Sequence, residues 1–426
     1  LFRRHSEQSW QTIAKADSIH GLMPFNFEAF DKDDPALIYV SAQTDQGRTG
    51  FFKYDTKKAV FGERIAAQDN ADITELLMDR KGRIYGYGYF DEHSRRVYWD
   101  TFWQSVQKML TSNFAGELAR VESISDDKNR MFIHTSSPTN PGSYYFFDVK
   151  AGSLTFFAEQ YPLVDSDKLA KMHPVSYKAR DGLTIPGFLS LPAGLTMEGA
   201  KKLPTVIQPH GGPRSRDYWG YDYWVQFLTT RGYAVLQMNY RGSTGYGDEF
   251  EDRGKQQWGG AMIDDINDGT EWLIKQGISD PDKICIVGWS YGGYAALQAP
   301  IVSKDLYKCA VAGAAVTNMP SFLLHQKKYT GYRRYRHYIK GDGTELTDIS
   351  PEHNIDKLNL PVLMLHGTKD RSVPYKQATR FVDAMKDKDK NIQFVTMEDT
   401  DHHLSREKDR LLFLSQIEQF LAKHLD

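Results

Sequence analysis

Gly288-Trp289-Ser290-Tyr291-Gly292 sets a serine between two glycines, directly after the apolar run Lys283 to Val287 and ahead of the helix-like stretch Gly293 to Ala299. A strand that turns sharply into a helix exposes such a hydroxyl at the carboxyl edge of a sheet, where it can attack an acyl carbon. The glycines are needed because a β-carbon beside the serine would crowd so tight a turn. A serine hydroxyl is a weak nucleophile until an imidazole takes its proton, and the imidazole needs a carboxylate to fix its tautomer. With the nucleophile in this context, both partners come later in the chain, each after a strand.

Two segments meet that requirement. Pro361 to Leu365 runs into His366-Gly367-Thr368-Lys369-Asp370, and Ile392 to Met397 runs into Glu398-Asp399-Thr400-Asp401-His402-His403. By spacing alone His402 and His403 both qualify as the base, and Asp399 or Asp401 can stand in for Asp370. Asp370 is favoured because it approaches from a neighbouring strand, whereas the other two must turn back on the histidine's own loop. His366 is expected to shape the Asp370 loop, and His353, in a polar stretch, to be solvated or to cap. A tetrahedral intermediate also needs donors for its oxyanion. The backbone N–H of Tyr291 is one, and the loop His210-Gly211-Gly212-Pro213, after the strand candidate Pro204 to Gln208, supplies another.

The elements that must position these groups fall into two textures. Up to about residue 165 the chain is a series of short β-rich runs: Ala36 to Ala42, Gly50 to Tyr54, Arg83 to Phe90, Arg130 to Thr135 and Tyr144 to Val149. Turn signals separate them and no sustained helical period intervenes, which predicts an all-β domain of propeller or sandwich type over residues 1–165. Tyr54-Asp55 and Phe147-Asp148 each end a run and lead into a turn, a recurrence that favours propeller blades. Residues 166–426 alternate strands with amphipathic helices. Further strand candidates are Ala234 to Met238 and Cys309 to Ala315, and helix candidates are Ile263 to Gln276, Tyr375 to Lys386 and Arg406 to Leu425. This predicts an α/β domain, a doubly wound and mainly parallel sheet with its ligands at the carboxyl ends of the strands.

Composition narrows the partners. With 426 residues, 40% hydrophobic and 25% charged, the chain reads as soluble and two-domain. Its 53 basic and 55 acidic residues leave a net charge of −2, too little to gather nucleic acid or an anionic membrane. No apolar run reaches the roughly 18 residues of a membrane span. The two cysteines, Cys285 and Cys309, lie in core-like runs and are read as small hydrophobes, with no disulfide framework and no cysteine-rich metal site. No cofactor or metal is expected. The compartment is left open between cytoplasm and periplasm. The basic, aromatic segment Lys327 to Lys340 reads as a solvated helix or as a contact for a substrate carboxylate.

His210-Gly-Gly-Pro, Asn239-Tyr-Arg-Gly-Ser-Thr-Gly-Tyr-Gly, Gly288-Trp-Ser-Tyr-Gly-Gly-Tyr and His366-Gly-Thr-Lys-Asp-Arg-Ser-Val-Pro together resemble the prolyl oligopeptidase family of serine peptidases, in its acylaminoacyl-peptidase and dipeptidyl-peptidase branches. The resemblance runs from about Met172 to the C-terminus. It implies a β-propeller before the catalytic domain and short peptides as substrates. Position by position it implies Ser290 as nucleophile, Asp370 and His402 as its partners, and the N–H groups of Tyr291 and Gly212 as oxyanion donors. It also implies a specificity pocket at Val316, Met319, Phe322 and Val373, apolar residues suited to a hydrophobic or proline-like side chain. His403 stands where the family usually has glycine. Roughly 165 residues suffice for three or four blades at about forty residues each, so the propeller is expected to be abbreviated or to lack its front. Its open edges favour a homo-oligomer.

Overall fold

A computed structural model describes residues 9–15, 23–341 and 343–425. Contacts group the chain into two compact units. One is residues 1–116 with 244–253 and 333–337; the other is 117–243, 254–332 and 338–426.

The first unit is built from antiparallel meanders. Asn26–Phe30, Leu37–Gln43, Thr49–Asp55 and Val60–Ala66 pair in chain order, and Ile73–Met78, Ile84–Phe90 and Ser94–Tyr98 form a three-stranded sheet. Phe51, Ala66, Ile73 and Tyr87 bury one shared cluster between these sheets. A helix, Thr101–Asn113, corrects the expectation of an uninterrupted β texture. Asp100 caps it by accepting from the N–H groups of Phe102 and Trp103, and Trp103, Val106 and Leu110 form its buried stripe. Trp103 also stacks on Tyr85 and Tyr98.

The second unit opens with a further four-stranded meander, Leu118–Ile124, Arg130–Ser137, Asn140–Asp148 and Ser153–Glu159. Four antiparallel strands in chain order are the pattern of a propeller blade. The recurrence at Tyr54-Asp55 and Phe147-Asp148 has a physical cause. Each aspartate ends the third strand of its meander and accepts backbone N–H groups of the next turn, from Lys57 and Lys58 in one case and Ala151 in the other.

The rest is an eight-stranded sheet: β1 (Met172–Lys178), β2 (Thr184–Ser190), β3 (Leu203–Ile207), β4 (Ala234–Met238), β5 (Ser279–Trp289), β6 (Cys309–Gly313), β7 (Val362–Gly367) and β8 (Ile392–Met397). The spatial order is β1-β2-β4-β3-β5-β6-β7-β8, with β1 and β2 antiparallel and β3 to β8 parallel. Helices Ala261–Lys275, Tyr291–Val302, Lys376–Asp387 and Glu407–Leu425 alternate with the strands. This is the α/β class expected. β1 and β2 are additions to the expected strands. Cys285 and Cys309 depart from the sequence reading: they face each other in register on β5 and β6 with Cα atoms 4.7 Å apart, and their sulfurs are bonded. Two apolar runs 24 residues apart give no sign that they become neighbours. Among the described residues no helix is long and apolar enough to cross a membrane.

Candidate active site

Strand β5 ends at Trp289, and the helix Tyr291–Val302 starts after one intervening residue. Ser290 takes the whole turn, with φ 62° and ψ −119°, a left-handed backbone that costs of order 1–3 kcal/mol and persists only where the surroundings impose it. The surroundings do so. A β-carbon on Gly288 would overlap the Gly292 carbonyl, and one on Gly292 would overlap the Pro209 carbonyl. Ser290 N–H donates to the Gly313 carbonyl at 2.9 Å, fixing the turn to the end of β6.

Asp370 and His402 follow β7 and β8, whose outgoing loops are joined by Lys369 N–H donating to the Thr400 carbonyl at 3.0 Å. His402 Nδ1 and Asp370 Oδ2 lie 2.7 Å apart. Asp370 Oδ1 accepts from the N–H groups of Ser372 and Val373, both at 2.9 Å. Burial alone would raise this carboxyl, but the His366 and His402 rings and the Val373 N–H outweigh it and hold it well below the usual carboxylate range. Fully buried His366 donates from Nε2 to the Val373 carbonyl at 2.9 Å and so braces the same loop.

The competing residues are engaged elsewhere. His403 is exposed, and its N–H donates to Asp401, which also accepts from Ser405. Asp399 is paired with Lys369 at 2.8 Å. His353 is exposed. Trp289, which sequence reasoning left without a role, donates from Nε1 to the His402 carbonyl at 2.8 Å and so ties the elbow to the histidine loop. Only its position beside the serine could have flagged it.

The glycine loop sits on the elbow: a β-carbon on Gly211 would lie 3.3 Å from the Trp289 carbonyl and 3.5 Å from Ser290 Cβ. His210 anchors it. Its ring stacks on Tyr240 with centroids 4.3 Å apart, its carbonyl accepts from Tyr240 Oη at 2.8 Å, and its Nε2 lies 2.9 Å from Ser243 Oγ. Burial pushes the His210 imidazole down to about 4, so it is neutral at pH 7. The segment Asn239-Tyr240-Arg241, legible as a motif but not as a function, is this anchor. Asn239 Oδ1 accepts from the Asp217 N–H at 2.7 Å, and Arg241 grips buried Asp265 through Nε at 2.8 Å and Nη2 at 2.6 Å. Tyr291 opens the elbow helix, where N–H groups have no intrahelical partner, and Gly212 stands with φ 121° in the loop beside it.

Val316, Met319, Phe322 and Val373 are all buried, Phe322 against Trp258 with ring centroids 6.2 Å apart. Of the basic segment, Tyr332–Ile339 is a helix whose Tyr338 and Ile339 are buried, while Tyr329 Oη donates to the Arg371 carbonyl at 3.0 Å.

A sequence model of the prolyl oligopeptidase family matches residues 219–426. Dipeptidyl aminopeptidase BIII of Pseudoxanthomonas mexicana is 32% identical over 311 residues, which cover 70% of this chain and 45% of that protein. An acylamino-acid-releasing enzyme of Arabidopsis thaliana is 29% identical over 218 residues, 49% of this chain and 28% of that one. The chain spans about half the length, or less, of these curated relatives. In fold it is similar to a puromycin-hydrolyzing peptidase of Mycobacterium tuberculosis, with TM-score 0.75 and 22% identity over 92% of this chain and 60% of that one. An acylaminoacyl peptidase of Pyrococcus horikoshii superposes with TM-score 0.71 and 20% identity over 94% of this chain and 63% of that one. Elbow, aspartate loop and histidine loop stand in the order the motifs require, on the sheet those proteins share, and the chain belongs to the prolyl oligopeptidase family.

Proposed function

We propose that this chain carries the catalytic machinery of a serine peptidase that cleaves short peptides through an acyl-enzyme. Ser290 Oγ attacks the scissile carbonyl while its proton passes to His402. The oxyanion is held by the N–H groups of Tyr291 and Gly212. Collapse of the tetrahedral adduct breaks the C–N bond, and His402 returns the proton to the departing amine; water then repeats the sequence and frees the acid. Asp370 orients the imidazole and stabilises its cation. Val316, Met319, Phe322 and Val373 receive an apolar side chain before the scissile bond. In this reading residues 166–426 are the catalytic domain and residues 1–165 a propeller-type domain.

The observation that carries the proposal is the 2.7 Å contact between His402 Nδ1 and an Asp370 carboxyl held ionised, on a loop bonded to the residue beside Ser290. The test is labelling with a fluorophosphonate and turnover of matched acyl amides and esters. Wild type is expected to label and to cleave both, and Ser290→Ala to do neither while melting as a folded protein. Turnover of esters alone would make the chain a carboxylesterase, and absence of labelling would leave a non-catalytic scaffold.

A further inference from the structure

The basic segment Lys327 to Lys340 has no part in the acyl-enzyme steps. Lys327, Lys328, Arg333, Arg334, Arg336 and Lys340 are its cations, and no aspartate or glutamate stands among them, in a chain whose net charge is −2. A run of exposed cations is ordinarily a solvated face, so its place decides whether it does more. The segment continues the helix Met319–Gln326, which buries Met319 and Phe322 and ends with Lys327 as its C-cap. Past that end it lies against the turn that follows Asp370. Tyr329 Oη and His325 Nε2 both reach the Arg371 carbonyl, at 3.0 and 3.3 Å, and Gln326 Nε2 donates to the Ser372 carbonyl at 3.3 Å. Asp370 Oδ1 accepts from the N–H groups of Ser372 and Val373. One turn of backbone is thus held by the Asp370 carboxyl through its N–H groups and by the basic segment through its carbonyls.

That bonding groups three cations. Lys327 and Lys328 precede Tyr329, with Lys328 Nζ 5.0 Å from the centre of its ring, and Arg371 is the residue whose carbonyl Tyr329 holds. All three are exposed. Cations before and after Arg371 in the chain are neutralised: Lys369 pairs with Asp399 at 2.8 Å and Arg380 with Glu352 at 2.6 Å. Lys327, Lys328 and Arg371 pair with no carboxylate among the described residues. Phe322 and Val373, assigned to the pocket for the residue before the scissile bond, stand five residues before Lys327 and two after Arg371. The cations therefore border the acyl side of the site, and like charges left without partners at its edge draw in the opposite charge. We propose that Lys327, Lys328 and Arg371 form a cationic rim that selects peptides with aspartate or glutamate in the residue or two preceding the apolar one at the scissile bond.

The inference rests on the acyl-enzyme reading, and a ratio of two rates separates them. Methylcoumarin amides ending in the same apolar residue, preceded by glutamate or by its neutral isostere glutamine, are compared with both free and N-acetylated N-termini. Turnover of the glutamine amide checks the reading alone. The ratio of glutamate to glutamine, in which losses common to both substrates cancel, checks the rim. In wild type the ratio of kcat/KM is expected to be about fivefold at about 20 mM salt and to fall below about twofold at about 500 mM, because exposed charges are screened. Lys327→Gln with Lys328→Gln, and separately Arg371→Gln, should each lower the low-salt ratio to about two, and all three together to about one. The lysine pair lies outside the Asp370 turn and carries the test if Arg371→Gln does not fold. Equal rates for the two amides in wild type at low salt would overturn the proposal and leave the reading standing. So would a preference that persists at high salt or in the triple variant, or one that in quenched peptides follows a free C-terminal carboxylate instead of the acidic side chain. No turnover of either amide would remove the reading and the rim together.

Discussion

In the helix that leaves Ser290, every residue from Tyr291 to Ile301 is buried, whereas in the strand Ser153–Glu159 of the same compact unit Phe156 is 54% and Phe157 66% exposed. The glycines differ in the same way. Gly292 has no room for a β-carbon because the Pro209 carbonyl occupies it, while Gly152, at the turn into that strand, faces open space. One region therefore holds its geometry by exclusion, with neighbouring backbone on every side, and the other by ladder hydrogen bonds and turn-capping aspartates. Chemistry that depends on tenths of an ångström belongs in the first. The second can accept change.

The largest effect that would break this contrast lies within one loop. His402→Ala is expected to lower kcat by about 10⁶-fold, since a triad member acts as part of a unit. His403→Ala, at the exposed neighbour, should stay within about twofold. Comparable losses from the two, measured on one amide substrate, would mean that the Asp370 contact does not mark the working imidazole.

Next come the paired glycines. Gly292→Ala should destabilise by about 3 kcal/mol, the range for forcing atoms into a packed site, and should abolish most activity. Gly152→Ala, with φ 62° and no neighbour in reach, should cost only about 1 kcal/mol. Thermal melts of the two variants side by side would show it, and equal costs would remove the claim that exclusion is particular to the elbow.

The same difference governs what could be read from the residues. A backbone position with no room for a side chain writes glycine into the sequence, so the elbow, the His210 loop and the strands around them were legible, with Ala234–Met238 and Ile392–Met397 found at their full length. The hairpin of β1 and β2 was not. β1 lies at the sheet's edge and buries only Met172 and Tyr177, and β1 and β2 carry Pro174 and Pro186, which hide a strand. The helix Thr101–Asn113 escaped because only Trp103, Val106 and Leu110 carry its stripe, among polar residues, and the glycine that follows it, Gly116, stands three residues past its end. The basic segment was visible as such, but the bond that lays Tyr329 against the Asp370 turn was not, because only folding brings the two together. The cysteine pair is the same kind of omission, since it depends on which strands become neighbours.

A smaller effect probes how the elbow grips its partner. Trp289→Phe keeps the ring packing against Trp224 and Phe413 but deletes the N–H that holds the His402 carbonyl. The expected outcome is a roughly fivefold fall in kcat, of the size a lost hydrogen bond of about 1 kcal/mol implies, with KM little changed. Phe157→Ser in the meander should leave kcat within about twofold. If the two variants behave alike, the indole contributes packing and no positioning.

The smallest effect concerns the ring that anchors the glycine loop. His210 is held near 4 by burial, below the ordinary value of about 6.5, so the unfolded chain takes up a proton that the folded chain refuses. The stability this ring contributes is therefore present above pH of about 6.5 and is lost as the pH falls through the folded value. His210→Gln retains a polar group beside Ser243 and Tyr240 but removes the titration. Its melting temperature should lie below wild type at pH 7, and the gap should close by a few degrees between pH 7 and pH 4. A gap that stays constant over that range would mean that the imidazole meets water in the folded state, and that the loop carrying Gly211 and Gly212 is less tightly enclosed than the elbow against which it packs.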